Sequence, residues 1–286
     1  MLVEFYCSHW TTFSIKKKYF EQNREKIEWL FLGTSHMQNA VNPEFLKPNA
    51  ANLAFAGQPI EINYEFLRKY VSQMPALKIV FLEISDHSFY SEFHSDDWNG
   101  HIYANLYSMY YKVSSPSIEN HSYLMSNFKF FSSIFIDYIN PWTGKYEINK
   151  YGYITNDFND RFQKLHNDSL IIDSTFIMAH EFDKPKLLLK NKDILTKSIA
   201  LCQSRGIKVV LITPPLYHTY LEKIPRNAKL EVSQIVKTIQ RDFNVPYFDY
   251  SDDGHYSLLD FKNDNHLNSN GARKFSLEID SFFRRN

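Results

Sequence analysis

The sequence predicts an α/β protein built on a parallel five-stranded sheet with helices on both faces. Short apolar runs, as expected of strands covered on both faces, alternate along the chain with amphipathic helical patterns. Such strand–helix–strand units pair in parallel through right-handed crossovers. The simplest strand order for five such strands is 2-1-3-4-5, the flavodoxin-like order, in which the first strand ends where the strand order reverses. The 286 residues are enough for a single domain covering 1–286.

The composition limits the classes of function. Lys and Arg total 32, as do Asp and Glu, so the formal charge is zero. This balance argues against a nucleic-acid-binding surface as the main function. Cys7 and Cys202 form no disulfide framework and no metal-ligand spacing, and both are expected to be buried small hydrophobes. The N-terminal segment 2–10 is too short to span a bilayer and lacks a signal-peptide pattern, so the chain as written is expected to be soluble and unexported.

The first predicted strand, 27–32, ends in Gly33-Thr34-Ser35-His36. It follows a segment, 11–26, that we interpret as a helix with its lysine run on a solvated face. A turn after the strand would present the Ser35 hydroxyl at the carboxyl edge of the sheet, which makes Ser35 the candidate nucleophile. A short helix predicted within 36–46 would point free N–H groups at charge developing beside Ser35. His36 is a candidate substrate contact, and a role in packing alone fits it equally well.

The next two strands complete the first half of the sheet. A strand at 50–55 is followed by a helix that starts at Pro59 and keeps an apolar face to Met74. The third strand, 77–85, is apolar nearly throughout, as a strand covered on both faces requires.

Periodicity is lost after Asp86, and the composition shifts to aromatic and small polar residues until about Pro185. A hundred residues is far longer than an ordinary crossover. We interpret 86–190 as an insertion that caps the C-terminal ends of the strands; the alternative is extra helices and loops beside the sheet. In a cap, aromatic side chains would stack against a sugar or an acyl chain. The candidates are Trp98, Tyr103, Tyr107, Tyr110 and Trp142.

Regular patterns return with a helix that Asn191 is predicted to cap and Gly206 to terminate. The fourth strand, 207–213, follows. The loop after it leaves from the same sheet edge as Ser35, so Tyr217 and His218 are candidate substrate contacts.

An amphipathic helix ending near Phe243 leads to a short fifth strand, 245–249. Asn268 is predicted to cap the final helix. His266 lies just before that helix, where the fold would bring it back over the edge that carries Ser35. A serine hydroxyl needs an adjacent base to become a nucleophile, and His266 is the natural one. The alternative is that Ser35 only caps a helix and His266 only bonds a loop.

Two stretches resemble the first and last motif blocks of the SGNH, or GDSL-like, hydrolase family, and most closely its bacterial cell-envelope branch. They are Gly33-Thr34-Ser35-His36 and His266-Leu267-Asn268, the latter followed by Gly271-Ala272. The resemblance covers about 27–90 and 191–283 and leaves out the insertion. It implies a catalytic pair of Ser35 and His266.

The third catalytic residue departs from the family, which usually places an Asp three residues before the histidine. Asn263 occupies that position and Asp264 follows it. An asparagine can orient an imidazole but cannot stabilise the imidazolium by charge. We expect Asp264 to complete the triad; the other outcomes are a weaker dyad and a chain that has lost catalysis.

The resemblance also implies an oxyanion hole. The Ser35 N–H is one expected donor, and Gly57 matches the glycine of the family's second block. The asparagine of the third block is missing, and Ser85 stands in its place. Gln58, beside Gly57, is an alternative donor or a substrate contact.

Acidic and histidine side chains near the C-terminus raise the question of a metal site. Their spacing fits no closed site, so we predict neither a metal nor a cofactor. The residues concerned are Asp252, Asp253, His255, Asp264 and His266.

The sequence therefore predicts a serine esterase or O-acyltransferase. The resemblance implies acetyl or other small acyl esters of envelope or extracellular polysaccharide as substrates. It also implies association with membrane-bound polysaccharide machinery and an envelope location if a membrane anchor precedes the chain. The alternative is a non-catalytic glycan-binding or polysaccharide-assembly protein with a degenerate site.

Overall fold

The computed structural model describes residues 2–92, 107, 110–113, 128–140, 146–157 and 182–285. Its centre is a parallel five-stranded sheet in the order β2-β1-β3-β4-β5. This confirms the predicted fold class and strand order. The strands are β1 Trp29–Leu32, β2 Ala50–Asn52, β3 Ile79–Glu83, β4 Lys208–Thr213 and β5 Tyr247–Asp249.

The central strands are buried on both faces, which explains their continuous apolar runs. Leu30 and Leu32 of β1 join one hydrophobic core, whereas Trp29 and Phe31 join the other. The alternation follows from the two-residue repeat of a strand. Phe31 stacks on Phe81 of β3, with ring centroids 4.3 Å apart, and this pair anchors the second core.

Helices cover the two faces of the sheet. Apolar residues of α2, α4, α6 and α8 belong to the first core, and residues of α3 and α9 to the second. The helices are α1 Leu2–His9, α2 Thr12–Asn23, α3 Ser35–Ala40, α4 Ile60–Tyr70, α5 Phe128–Ile139, α6 Pro185–Gln203, α7 His218–Lys223, α8 Arg226–Phe243 and α9 Ser269–Arg285. Short 3-10 turns occur at Pro43–Phe45, Val71–Gln73, Asp86–Tyr90 and Leu258–Asp260.

Asn191 is not the cap that the sequence predicted. The helix α6 begins at Pro185, and Asn191 is buried within it. Its Nδ2 donates to the carbonyl oxygens of Phe89 and Ser91, at 2.9 and 2.7 Å, and thereby satisfies the turn that follows β3. Asn268 does cap α9, since its Oδ1 accepts from the N–H groups of Asn270 and Gly271.

Lys16 corrects the prediction of a fully solvated lysine run. Its side chain is buried, with 3% exposure, and its Nζ donates to the Ala54 carbonyl at 2.7 Å. Burial lowers the pKa of Lys16 to about 7. Lys16 therefore ties α2 to the segment that follows β2.

The chain between β5 and α9 forms an antiparallel hairpin that the sequence did not predict. Its strands are β6 Phe261–Asn263 and β7 His266–Leu267, with Asn263 paired to His266. Residues directly opposite in such a pair present their side chains on the same face. The hairpin therefore sets Asn263 beside His266.

Two of the described parts of segment 86–190 lie in different places. Tyr107 and Tyr110 are buried beside Phe13 of α2 in the first hydrophobic core, which departs from the predicted stacking role. Residues 146–157 instead reach α3 and the start of α9, since Tyr153 Oη donates to the Asn39 carbonyl at 3.2 Å. Trp98, Tyr103 and Trp142 lie outside the described residues.

Cys7 and Cys202 are both buried and free, as predicted. Among the helices that the structure describes, none has the length and apolar character needed to cross a membrane.

Candidate active site

The site is built on the turn that follows β1. Thr34 adopts an extended conformation and caps α3, with its Oγ1 accepting from the His36 N–H at 3.3 Å. Ser35 is the first residue of the helix. The apolar strand thus ends at the carboxyl edge of the sheet and delivers Ser35 there, as predicted.

A buried carboxylate, Glu83, holds this turn in place. Its oxygens accept hydrogen bonds from Thr34 N at 2.6 Å, Thr34 Oγ1 at 2.7 Å and Met37 N at 3.2 Å. A Cβ atom at Gly33 would collide with the Glu83 side chain, so glycine is required there by close approach. Glu83 was not among the site residues predicted from the sequence; the available signal was a carboxylate closing an otherwise apolar strand.

Ser35 and His266 meet across the sheet edge. Ser35 Oγ lies 2.8 Å from His266 Nε2, and His266 Nδ1 lies 3.0 Å from Asn263 Oδ1. The Asn265 N–H also donates to Asn263 Oδ1, at 3.2 Å, which agrees with that atom being the acceptor oxygen. With Nδ1 protonated, Nε2 is left free to accept the serine proton.

Asp264 does not take the third position that we expected for it. It lies in the two-residue turn of the hairpin, where its carbonyl oxygen accepts from Tyr217 N at 3.0 Å. Asn263 holds the place beside Nδ1 because it is the cross-strand partner of His266. The hydrogen-bonded series at the sheet edge is therefore Ser35, His266 and Asn263.

The surroundings of His266 favour its neutral form. Burial, His36 and Lys262 together lower the pKa of His266 well below 6.5. A neutral imidazole at neutral pH is the form that can accept a proton.

His36 is packed inside the site and is only 2% exposed. Its ring makes edge contacts with His87, Tyr220 and His266 at centroid distances of 5.0, 5.6 and 5.5 Å. Its Nδ1 lies 3.5 Å from a Glu83 oxygen. The structure agrees with the packing alternative for His36 and leaves little surface for substrate.

The expected oxyanion donors occupy different settings. Gly57, at φ 66°, lies in the turn after β2, which is tied to the first turn by a bond from Phe55 N to Gly33 O of 3.1 Å. Ser85 Oγ bonds His87 Nδ1 at 2.7 Å and lies in the core of the site. Ser35 N, at the start of α3, has no bond to another described residue. The Ser35 N–H thus remains the donor best placed for charge developing at the serine.

Three further candidates have structural partners. Gln58 is buried, and its Nε2 donates to Asn63 Oδ1 at 2.6 Å. Tyr217 packs edge-on against Phe261 and, through its N–H, anchors the hairpin turn. His218 is exposed at the start of α7, with its Nδ1 3.6 Å from Glu222. Of the three, His218 is the most open to solvent.

The acidic and histidine side chains near the C-terminus do not form one cluster. His255 Nδ1 bonds Asp253 in an exposed loop at 2.7 Å, whereas His266 faces Ser35. The described part of the chain contains no group of three or more His, Cys, Asp or Glu side chains arranged to hold a metal ion.

Comparisons with known proteins found similarity to solved structures only. No family model matches the chain, and no curated protein matches it either. One similar crystal structure is of a suggested acylhydrolase from Bacteroides fragilis, with a TM-score of 0.43 and 13% identity over 94% of this chain and 96% of that one. Another is of a GDSL-like lipase from Bacteroides thetaiotaomicron, with a TM-score of 0.41 and 8% identity over 95% of this chain and 96% of that one. The fold assignment rests on the sheet topology and not on these likenesses.

Proposed function

We propose that this chain is an SGNH-type serine hydrolase or O-acyltransferase that acts on small acyl esters of carbohydrate. The observation that carries the proposal is the hydrogen-bonded sequence from Ser35 Oγ through His266 to Asn263 Oδ1, with distances of 2.8 and 3.0 Å. A nucleophile, a base and a group that orients the base are the three parts of a serine acyl-transfer site.

The reaction follows from these positions. Ser35 Oγ attacks the ester carbonyl while His266 Nε2 accepts the hydroxyl proton, and the carbonyl oxygen becomes an oxyanion. When the intermediate collapses, the bond to the alcohol breaks, and His266 returns the proton to the departing oxygen. Water, or the hydroxyl group of a second alcohol, then attacks the acyl-serine by the same proton transfers. The first acceptor gives hydrolysis and the second gives O-acyl transfer.

The developing oxyanion would be met by backbone donors. The Ser35 N–H lies at the start of α3, where the positive end of the helix favours negative charge. We assign Gly57 as the second donor because its turn is bonded to the Ser35 turn. Ser85 is a weaker candidate, since His87 already engages its hydroxyl.

Asn263, in place of the usual carboxylate, lowers the catalytic rate that this site can reach. It fixes the imidazole orientation, but it supplies no negative charge to the imidazolium that forms in the transition state. This feature favours the alternative of a non-catalytic glycan-binding protein. The Ser35–His266 bond and the unprotonated state of His266 favour the enzyme.

Turnover of p-nitrophenyl acetate by wild type, Ser35→Ala and His266→Ala tests the proposal. We expect wild-type turnover and a loss of at least a hundredfold in both variants. Asn42→Ala, which removes a buried side chain that bonds Glu44 N beyond the end of α3, is the control for nonspecific damage. Equal turnover in all of the proteins would refute a role for the pair.

Adding methyl glycosides as acceptors then separates transfer, which forms an acetylated glycoside, from hydrolysis.

A further inference from the structure

A cavity of about 360 Å³ lies at the carboxyl ends of β3, β4 and β5, beyond the Ser35 turn. Asp86 follows β3, Thr213 ends β4 and Asp249 ends β5. Helices α7 and α8 close the other sides through Tyr220 and Lys229. The volume is at the lower end of those that hold small molecules in proteins. None of these residues has a part in the acyl-transfer steps.

The cavity combines hydrogen-bonding groups with an aliphatic wall. Hydroxyl groups and carboxylates come from the strand ends, and aliphatic side chains such as Ile224 and Val232 come from α7, α8 and the connection between them. An acyl chain is a poor occupant, because it would remove water from the Asp86 carboxylate without replacing its hydrogen bonds. An anion is disfavoured by the Asp86, Asp249 and Asp252 carboxylates, which outnumber the Lys229 ammonium group.

Asp86 provides the strongest polar group inside the cavity. Burial raises its pKa to about 6, and Asp249 adds to this effect while Lys229 and His36 oppose it. At neutral pH the carboxylate is ionised and half-buried. A carboxylate in that setting accepts strong hydrogen bonds from hydroxyl groups. Lys229 is held nearby by its bond to the Leu221 carbonyl oxygen.

The cavity shares a wall with the Ser–His site. Tyr220 lines the cavity, and its ring packs edge-on against His36 with a centroid distance of 5.6 Å. His36 packs in turn against His266 at 5.5 Å. Ser85 also lines the cavity, and its Oγ lies 3.4 Å from His36 Nδ1. Two layers of side chains, Tyr220 or Ser85 and then the His36 ring, therefore lie between a group held in the cavity and His266.

We infer that this cavity is a binding subsite for a neutral polyol of monosaccharide size, with Asp86 accepting hydrogen bonds from its hydroxyl groups. A pyranose matches the lining because it presents hydroxyl groups at its rim and C–H groups on its face. The subsite holds a sugar unit of the substrate or acceptor beside the acyl-transfer site. This role rests on the proposed function, although binding of the sugar does not.

Saturation-transfer difference NMR with neutral methyl hexopyranosides tests binding directly. We expect saturation transfer to at least one glycoside with wild type, and weakening of about tenfold in Asp86→Asn, since hydrogen bonds to a charged group are lost. Ser233→Phe, which adds a ring at the exposed α8 side of the cavity without changing charge, should abolish binding. Asp242→Asn, an exposed carboxylate paired with Arg241 at the end of α8, is the matched control and should bind as wild type does.

A kinetic comparison places the subsite in the reaction. For Asp86→Asn and Ser233→Phe, kcat/KM for an acetylated methyl glycoside, relative to that for p-nitrophenyl acetate, should fall about tenfold, mainly through KM. The inference is overturned if no glycoside binds, or if both cavity variants bind as wild type does. Binding that depends on Asp86 in a protein whose Ser35 takes no covalent probe would refute the proposed function and leave the sugar subsite standing.

Discussion

Asn263 lies directly across a two-residue turn from His266, and its Oδ1 is 3.0 Å from His266 Nδ1. The hairpin, and not the side-chain charge, selects the residue that orients the imidazole. Asp264 is next in sequence but falls in the turn. The chain therefore keeps the geometry of a triad while lacking its carboxylate.

Restoring that carboxylate should raise activity. In Asn263→Asp the new side chain can still accept from His266 Nδ1 and from the Asn265 N–H, and it adds a charge that stabilises the imidazolium. We expect kcat for p-nitrophenyl acetate to rise about tenfold or more. Asn263→Ala should lower it by a similar factor. Asp264→Asn is the control, and a larger loss there than in Asn263→Ala would return the orienting role to Asp264.

The pH dependence follows from the state of His266. Its pKa lies well below 6.5, so the base is already unprotonated at mildly acidic pH. In wild type, kcat/KM should therefore begin to decrease, as His266 becomes protonated, only at a pH below 6.5. In Asn263→Asp the carboxylate favours the imidazolium and raises the pKa of His266, so the decrease should begin at higher pH. A wild-type decrease that begins above pH 6.5, or a shift to lower pH in the variant, would contradict this account.

Glu83 should matter for both stability and activity. Glu83→Gln keeps the shape of the side chain but removes its charge and leaves one acceptor oxygen for the three donors from Thr34 and Met37. We expect the free energy of unfolding to fall by about 1 to 3 kcal/mol and labelling of Ser35 to slow. Glu28→Gln, which removes an exposed pair with Lys78, should cost no more than about 1 kcal/mol. Denaturant titration of the two variants measures the difference, and equal losses would dismiss the role of Glu83.

Lys16 should make stability depend on pH in a defined direction. Its folded pKa, about 7, lies below its ordinary value of 10.5, so folding disfavours the charged form. The penalty is complete below pH 7 and disappears as the pH rises towards 10.5. Wild type should therefore gain stability relative to Lys16→Met between these limits, by on the order of a few kcal/mol.

Lys17→Met, at a partly exposed position paired with Glu21, is the matched control for the lysine prediction. The difference between wild type and this control variant should change little with pH. A flat difference for Lys16→Met over the same range would show that Lys16 stays charged in the folded protein.

The sheet could be predicted from the sequence because its determinants are local. Strands such as β3 are apolar on both faces, and the intervening helices carry a 3.6-residue pattern that can be recognised in a short window. The position of Ser35 follows from the end of β1, and that of His266 from the start of α9. The prediction that the two side chains are in contact also required the family resemblance.

The remaining parts of the site depend on contacts distant in sequence. Glu83 bonds Thr34 from 49 positions away, and Asn191 bonds the carbonyl of Phe89 from 102 positions away. Neither bond leaves a periodic pattern in the chain. Lys16 looked like part of a solvated run because nothing in its neighbourhood shows that α2 faces the Ala54 carbonyl. The hairpin was missed because its strands have only three and two residues, too few to show an alternation.

The measurement that tests the central claim most directly is intact-mass analysis after treatment with a fluorophosphonate probe. Such a probe reacts with a serine only when a neighbouring base activates it. We predict one adduct on wild type, on Ser35 by peptide mapping, and none on Ser35→Ala or His266→Ala. A folded wild-type protein that takes no adduct, or an adduct that persists in both variants, would contradict the assignment of Ser35 and His266 as a catalytic pair.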